Sequence, residues 1–97
     1  MYKINGEVMK EQIKILADRN GMNESYYVIE ESSELIKELI KYKRGFDNKD
    51  KIVEECADVL LTINILLTAM GISDEEVNKI MASKAIRAVE RGKKIGE

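Results

Sequence analysis

The sequence predicts an all-α domain, and three observations carry that prediction. Proline is absent and only six glycines occur in 97 residues, so the turn chemistry that sheets require is scarce. Aromatic residues are few and Glu, Lys, Ile and Leu many, a composition that favours helices. Apolar positions also recur three and four apart between Gly and Asn stop signals, which divides the chain into four helices. No stretch reads as a linker or a low-complexity tract, so residues 1–97 are expected to form a single domain.

The first helix is expected from about Gly6 to Asn20, with Val8, Met9, Ile13, Leu16 and Ala17 on its inner side and Asn20-Gly21 as its stop. Asn23 or Ser25 caps the second, which runs to about Arg44 and stops at Gly45. Lys41, Lys43 and Arg44 suit the negative end of its dipole. The third helix begins at Asn48 or Asp50 and ends at Met70-Gly71. Ser73 with Glu76 forms a capping box for the fourth, which reaches about Arg91-Gly92 and leaves Lys93 to Glu97 as a frayed tail. The short connection from Gly45 to Asn48 makes the second and third helices an antiparallel central hairpin.

Composition excludes several classes. The net charge is −2, with Lys+Arg 16 against Asp+Glu 18, so no basic field draws the chain to nucleic acid or an anionic membrane. The longest apolar run, Val59 to Met70, is interrupted by Thr62, Asn64 and Thr68 and is too short to span a bilayer. No apolar signal segment opens the chain, and a cytoplasmic location is expected. Cys56 is the only cysteine, which excludes an intrachain disulfide and argues against a thiolate zinc site; it reads as a small core hydrophobe.

The chemistry lies in a doubled acidic pattern. Glu30-Glu31-Ser32-Ser33-Glu34 recurs 24 residues later as Glu54-Glu55-Cys56-Ala57-Asp58, each copy followed by an aliphatic run. At about 3.6 residues per turn, carboxylates three apart share a helix face. On the second helix Val28, Ile29, Leu35, Ile36, Leu39 and Ile40 form an apolar stripe, and Glu31, Glu34 and Glu38 follow one flank of it. On the third, Ile52, Val53, Cys56, Val59, Leu60, Ile63, Leu66, Leu67 and Met70 form the stripe, with Glu55 and Asp58 on the equivalent flank. Antiparallel pairing then brings Glu31, Glu34, Glu55 and Asp58 together, while Glu30 and Glu54 fall outside the group. Four carboxylates so placed repel one another unless a cation sits between them, and an all-oxygen set favours Mg²⁺ or Mn²⁺. The absence of histidine excludes the Glu-x-x-His pattern of di-iron bundles.

On the fourth helix Lys84, Arg87, Arg91 and Lys94 make a cationic stripe opposite Val77, Met81, Ala85, Ala88 and Val89. Cations beside a carboxylate-bound metal are what a polyphosphate needs, and Lys84 and Arg87 are its expected partners. The third helix carries a second apolar sector, Ala57, Leu61, Ile65 and Thr68, so it is hydrophobic nearly all round and must be covered on both sides. A homodimer through the second and third helices, or a dimer of such dimers, is expected to complete the bundle.

These motifs resemble the signature of the MazG-like all-α nucleoside triphosphate pyrophosphohydrolases, Glu-Glu-x-x-Glu on one helix and Glu-x-x-Asp on the next, here Glu30-Glu31-x-x-Glu34 and Glu55-x-x-Asp58. The resemblance covers the second to fourth helices and implies a four-helix MazG-like bundle. It also implies Mg²⁺-dependent cleavage of the α–β phosphoanhydride of a nucleoside triphosphate, giving a monophosphate and pyrophosphate. Glu31, Glu34, Glu55 and Asp58 would be the metal ligands, Glu34 or Glu30 the acceptor of the water's proton, and Lys84, Arg87 and Arg91 the phosphate contacts, with Lys79 a weaker candidate. The base-binding residues stay open; Tyr2, Gln12 and Tyr26 are the candidates able to stack on or hydrogen-bond to a base. House-cleaning of damaged or surplus nucleotides is a common role in such a family. Two other readings compete: a phosphoribosyl-ATP pyrophosphohydrolase, whose second motif Glu55 to Gly71 also resembles, and a non-catalytic helical dimer whose acidic clusters only solvate its surface.

Overall fold

The computed structural model describes residues 6–96, with the side chains of residues 6–92. Four α-helices account for nearly all of them: α1 (Glu7–Asn20), α2 (Glu24–Lys43), α3 (Lys49–Ala69) and α4 (Asp74–Gly96), with no strand among the described residues. The all-α expectation is borne out. A single 3₁₀ turn, Gly21–Asn23, joins α1 to α2. Contacts run in one register: Ile13 and Ala17 of α1 meet Ile65 and Ala69, Glu24 meets Thr62, and Glu38 meets Asn48. Thus α1 and α2 follow one another along α3, both antiparallel to it.

The helix ends follow from local chemistry. Gly45 (φ 98°) and Gly71 (φ 73°) sit in the left-handed region just past α2 and α3. In each case the next amide reaches back five residues, Phe46 N to the Lys41 carbonyl at 3.1 Å and Ile72 N to the Leu67 carbonyl at 2.9 Å. This closes the orphan carbonyls of the last turn, and only glycine takes that conformation cheaply. The Ser73 hydroxyl accepts from the Glu76 amide at 3.2 Å, the half of the capping box that holds the start of α4. Asn48 precedes α3 as expected but does not cap it. Its Nδ2 donates across the turn to the Glu38 carbonyl at 2.9 Å and to Glu38 Oε1 at 2.8 Å, pinning the end of α2 to the start of α3. α4 also continues past Gly92 to Gly96, where a frayed tail was expected. Gly92 adopts no positive φ, and a glycine without a left-handed turn weakens a helix without ending it.

Packing departs from the expected stripes on every helix, and Val53 and Met70, expected on the inner stripe of α3, are exposed. Val8 and Met9 are exposed, because α3 ends at Ala69 beside Ile13 and the first turn of α1 runs beyond its neighbour. On α3 the deepest apolar burial falls on Ile65, in the sector read as secondary, because α1 packs there. On α2 only Val28 and Leu35 are half-buried, whereas Ile29 is 67% and Ile36 56% exposed, and Leu39 and Ile40 are exposed as well. The reason is the course of α4. Val77 and Met81 lie half-buried beside Leu60, Ile63 and Leu67 of α3, but every residue from 82 to 92 is exposed. The radius of gyration, 16.1 Å, exceeds the roughly 12.5 Å of a compact chain of this length.

Candidate metal centre

Glu31 on α2 and Glu55 and Asp58 on α3 each offer a carboxylate oxygen, and these oxygens lie within 4.8 Å of one another. The antiparallel register puts Glu31 opposite the turn that holds Glu55 and Asp58, so the two acidic motifs meet as half-sites. Their proximity is visible in their acidity. Burial, then the charges of Asp58 and Glu55, push the Glu31 carboxyl above its ordinary range. Burial, then Asp58 and Glu34, do the same to Glu55. Glu55 Oε2 is moreover buried without any hydrogen-bond partner. Leaving a buried acceptor unpaired is costly, and a cation at the meeting point of three carboxylates would relieve both the repulsion and the orphaned oxygen.

The remaining acidic residues separate around this trio. Glu34, one turn beyond Glu31, is half-buried and lies outside the tight group; its Oε1 is 3.5 Å from Lys37 Nζ, and its charge still acts on Glu31 and Glu55. Glu38 turns towards the α2–α3 connection, where the Asn48 hydrogen bond and then the Lys41 charge, weighed against burial, hold its carboxyl below the usual range. Glu30 is exposed, as is Glu54, which pairs with Lys51 at 3.8 Å. Lys84, Arg87 and Arg91 are all exposed on the free part of α4, and Lys79 is exposed on its packed part, between Val77 and Met81. The Lys94 side chain and Tyr2 lie outside the described residues.

A cleft of about 230 Å³ runs from Glu31 and Asp58 towards the α1–α2 junction, where Tyr27, Leu61, Thr62 and Ile65 line it. Gln12 and Tyr26 are exposed and do not line this cleft, whereas Tyr27 does. At its inner end sits Glu24, only 3% exposed. Asn20 Nδ2 donates to Glu24 Oε1 at 2.7 Å, and the Thr62 hydroxyl donates to Glu24 Oε2. Sequence reasoning missed Glu24 and Thr62, although a helical signal existed: Glu24 lies two turns before Glu31, and Thr62 one turn after Asp58, each on the same helix face as that carboxylate.

A family model described as the MazG nucleotide pyrophosphohydrolase domain matches residues 22–92. The chain belongs to that family. The matched span holds both acidic motifs and takes in the junction before α2, α2 itself, α3 and most of α4; α1 lies outside it. Comparison with curated proteins and with solved structures returns no match. In this MazG domain the donor set is entirely oxygen, which suits a hard divalent cation. Among the described residues, no helix is long and apolar enough to cross a membrane.

Proposed function

We propose that this MazG domain is a Mg²⁺-dependent hydrolase that cleaves the α–β phosphoanhydride of a nucleoside triphosphate, releasing a nucleoside monophosphate and pyrophosphate. The observation that carries the reading is the Glu31, Glu55 and Asp58 trio with the buried, unpaired Glu55 Oε2, set on a chain of the MazG family. These three residues, with Glu34 beside them, hold the metal, and Mn²⁺ satisfies the same donors. When bound, the ion supplies charge neutralisation at the phosphates and acidifies a water. Glu34, which stands outside the tight group, takes the proton of the attacking water. Glu30 is the exposed alternative for that role.

Lys84, Arg87 and Arg91 complete the phosphate contacts. They lie on the part of α4 that leaves the body of its own chain, so a second copy is the natural recipient of these cations. The exposed stripe of α2 is the face such a copy covers. A homodimer, with its site at or near the interface, therefore belongs to this reading, as does a cytoplasmic location.

Pyrophosphate release from a panel of nucleoside triphosphates at fixed Mg²⁺ tests the reaction. Glu55→Gln and Asp58→Asn are each expected to lower kcat/KM on the order of 100-fold, as loss of a metal ligand does. Glu54→Gln, on the solvated side of the same helix, is expected to retain activity. Unchanged turnover in the first two variants would remove the site assignment. A wild type inert towards the whole panel would favour an interaction module.

A further inference from the structure

The cleft beside the carboxylate trio ends on a charged group that the metal centre does not use. Glu24 is 3% exposed, and one hydrogen bond reaches each of its oxygens, from Asn20 and from Thr62. A carboxylate has about four lone-pair positions, so two hydrogen bonds leave half of its accepting capacity unused within the chain, and Glu24 borders the cleft. Burying a carboxylate is expensive, and joining α1 to α3 alone would be done as well by a neutral amide. Between Glu24 and the acidic end of the cleft, Tyr27, Leu61 and Ile65 supply its apolar lining, and the Tyr27 ring is the one flat surface among them. At about 230 Å³ the space is below the ~300–1,000 Å³ of pockets for drug-sized ligands, which suits a single ring system and not a whole nucleotide.

Resting on the proposed pyrophosphohydrolase reading, we infer that Glu24 reads the nucleobase and selects a base that presents hydrogen-bond donors side by side, guanine above all. Guanine offers N1–H and its N2 amino group on one edge, and both find an acceptor in the free lone pairs of Glu24. Adenine and cytosine offer one amino donor beside an acceptor and rank below it. Uracil and thymine present one N–H flanked by two carbonyl oxygens, which face the carboxylate unfavourably. Asn20 and Thr62 are positioning residues: their donated hydrogen bonds hold the carboxylate in one orientation, so its free lone pairs are fixed in direction.

Calorimetric titration of GMP, IMP and UMP at fixed Mg²⁺ tests this in the wild type, without any substitution. GMP is expected to bind roughly tenfold or more tightly than UMP, with IMP, which lacks the N2 amino group, between them. In Glu24→Gln the order is expected to collapse, with GMP weakened and UMP unchanged or improved. Equal affinities for the three in the wild type, or a preference for UMP, would overturn the inference. So would an equal loss for all three in Glu24→Gln, which is the mark of a merely structural role. Base-selective binding without pyrophosphate release from any triphosphate would leave Glu24 as the reader and sink the proposed reaction. Equal kcat/KM for all triphosphates, alongside equal binding of the three monophosphates, would do the reverse.

Discussion

Glu31 and Glu55 bind protons more readily in the folded chain than in the unfolded one, since both carboxyls stand above their ordinary value of 4.5. Between that value and their folded values the native state carries the extra protons, so their contribution to stability is present at low pH and falls as pH rises. Glu38 runs the other way: its carboxyl is depressed by Asn48, and its contribution is lost as pH falls through the folded value. Mg²⁺ reverses the logic at the trio, because it binds the deprotonated oxygens and competes with protons. Melting temperatures with and without Mg²⁺, near neutral pH and at about pH 5, check this. Saturating Mg²⁺, at a hundredfold excess over its Kd, is expected to raise Tm on the order of 10 °C near neutrality. The rise should shrink markedly at about pH 5 and disappear in Glu55→Gln. That variant should also melt higher than the wild type when metal is removed, since it deletes one charge from a repelling group. A Mg²⁺ shift that ignores both pH and the substitution would place the ion elsewhere.

The hairpin of α2 and α3 decides whether the two half-sites meet, and the connection between them is stiffer than a short loop requires. Asn48 donates to both the carbonyl and the carboxylate of Glu38, while Gly45 turns the chain with φ 98°. Removing the amide in Asn48→Ala frees the Glu38 carboxylate and unlatches the turn. The expected cost is about 1–3 kcal/mol in urea unfolding with an unchanged m-value, since the surface exposed on unfolding stays the same. Activity should fall less than in the ligand variants, because α2 and α3 still pair along the rest of their length. A neutral result would mean that helix packing alone sets the register. The acidic flank of each helix was legible because helical phase depends only on the chain. The role of Asn48 was not: an Asn before a helix reads as a cap, and only the approach of Glu38 redirects its side chain.

One chain covers little of its own apolar surface. Among the described hydrophobic residues only Ile13, Ala17 and Ile65 are buried, Ile29, Ile36, Leu39 and Ile40 stand open along α2, and Ile86 and Val89 do so on the free part of α4. Burial at ~25 cal/mol per Å² is the main force available to a domain of this size, so a second copy on the α2 face is the expected remedy. Light scattering on the purified chain should give about twice its 11.1 kDa mass, or four times if dimers pair. Ile36→Asp, which puts a charge on that face, is expected to shift the mass towards the single-chain value and to lower Tm with it. A monomeric wild type would remove the interface and leave the α4 cations without a site in a partner.

Sequence by itself determined the four helices, the hairpin and the acidic flank of each of its two helices, because helix propensity, stop signals and the phase of an amphipathic face are properties of neighbouring residues. It also separated Glu31, Glu34, Glu55 and Asp58 from the solvated Glu30 and Glu54, since angular position around a helix needs no partner. Tertiary structure alone decided which sector of α3 is covered, that Glu34 stands apart from the tight trio, and that α4 carries Lys84, Arg87 and Arg91 away from the body of the chain. It alone also revealed Glu24 buried beneath the cleft. Each of these depends on how helices distant in sequence lie against one another. That is set by the summed packing of many weak contacts, which periodicity along a single helix does not encode.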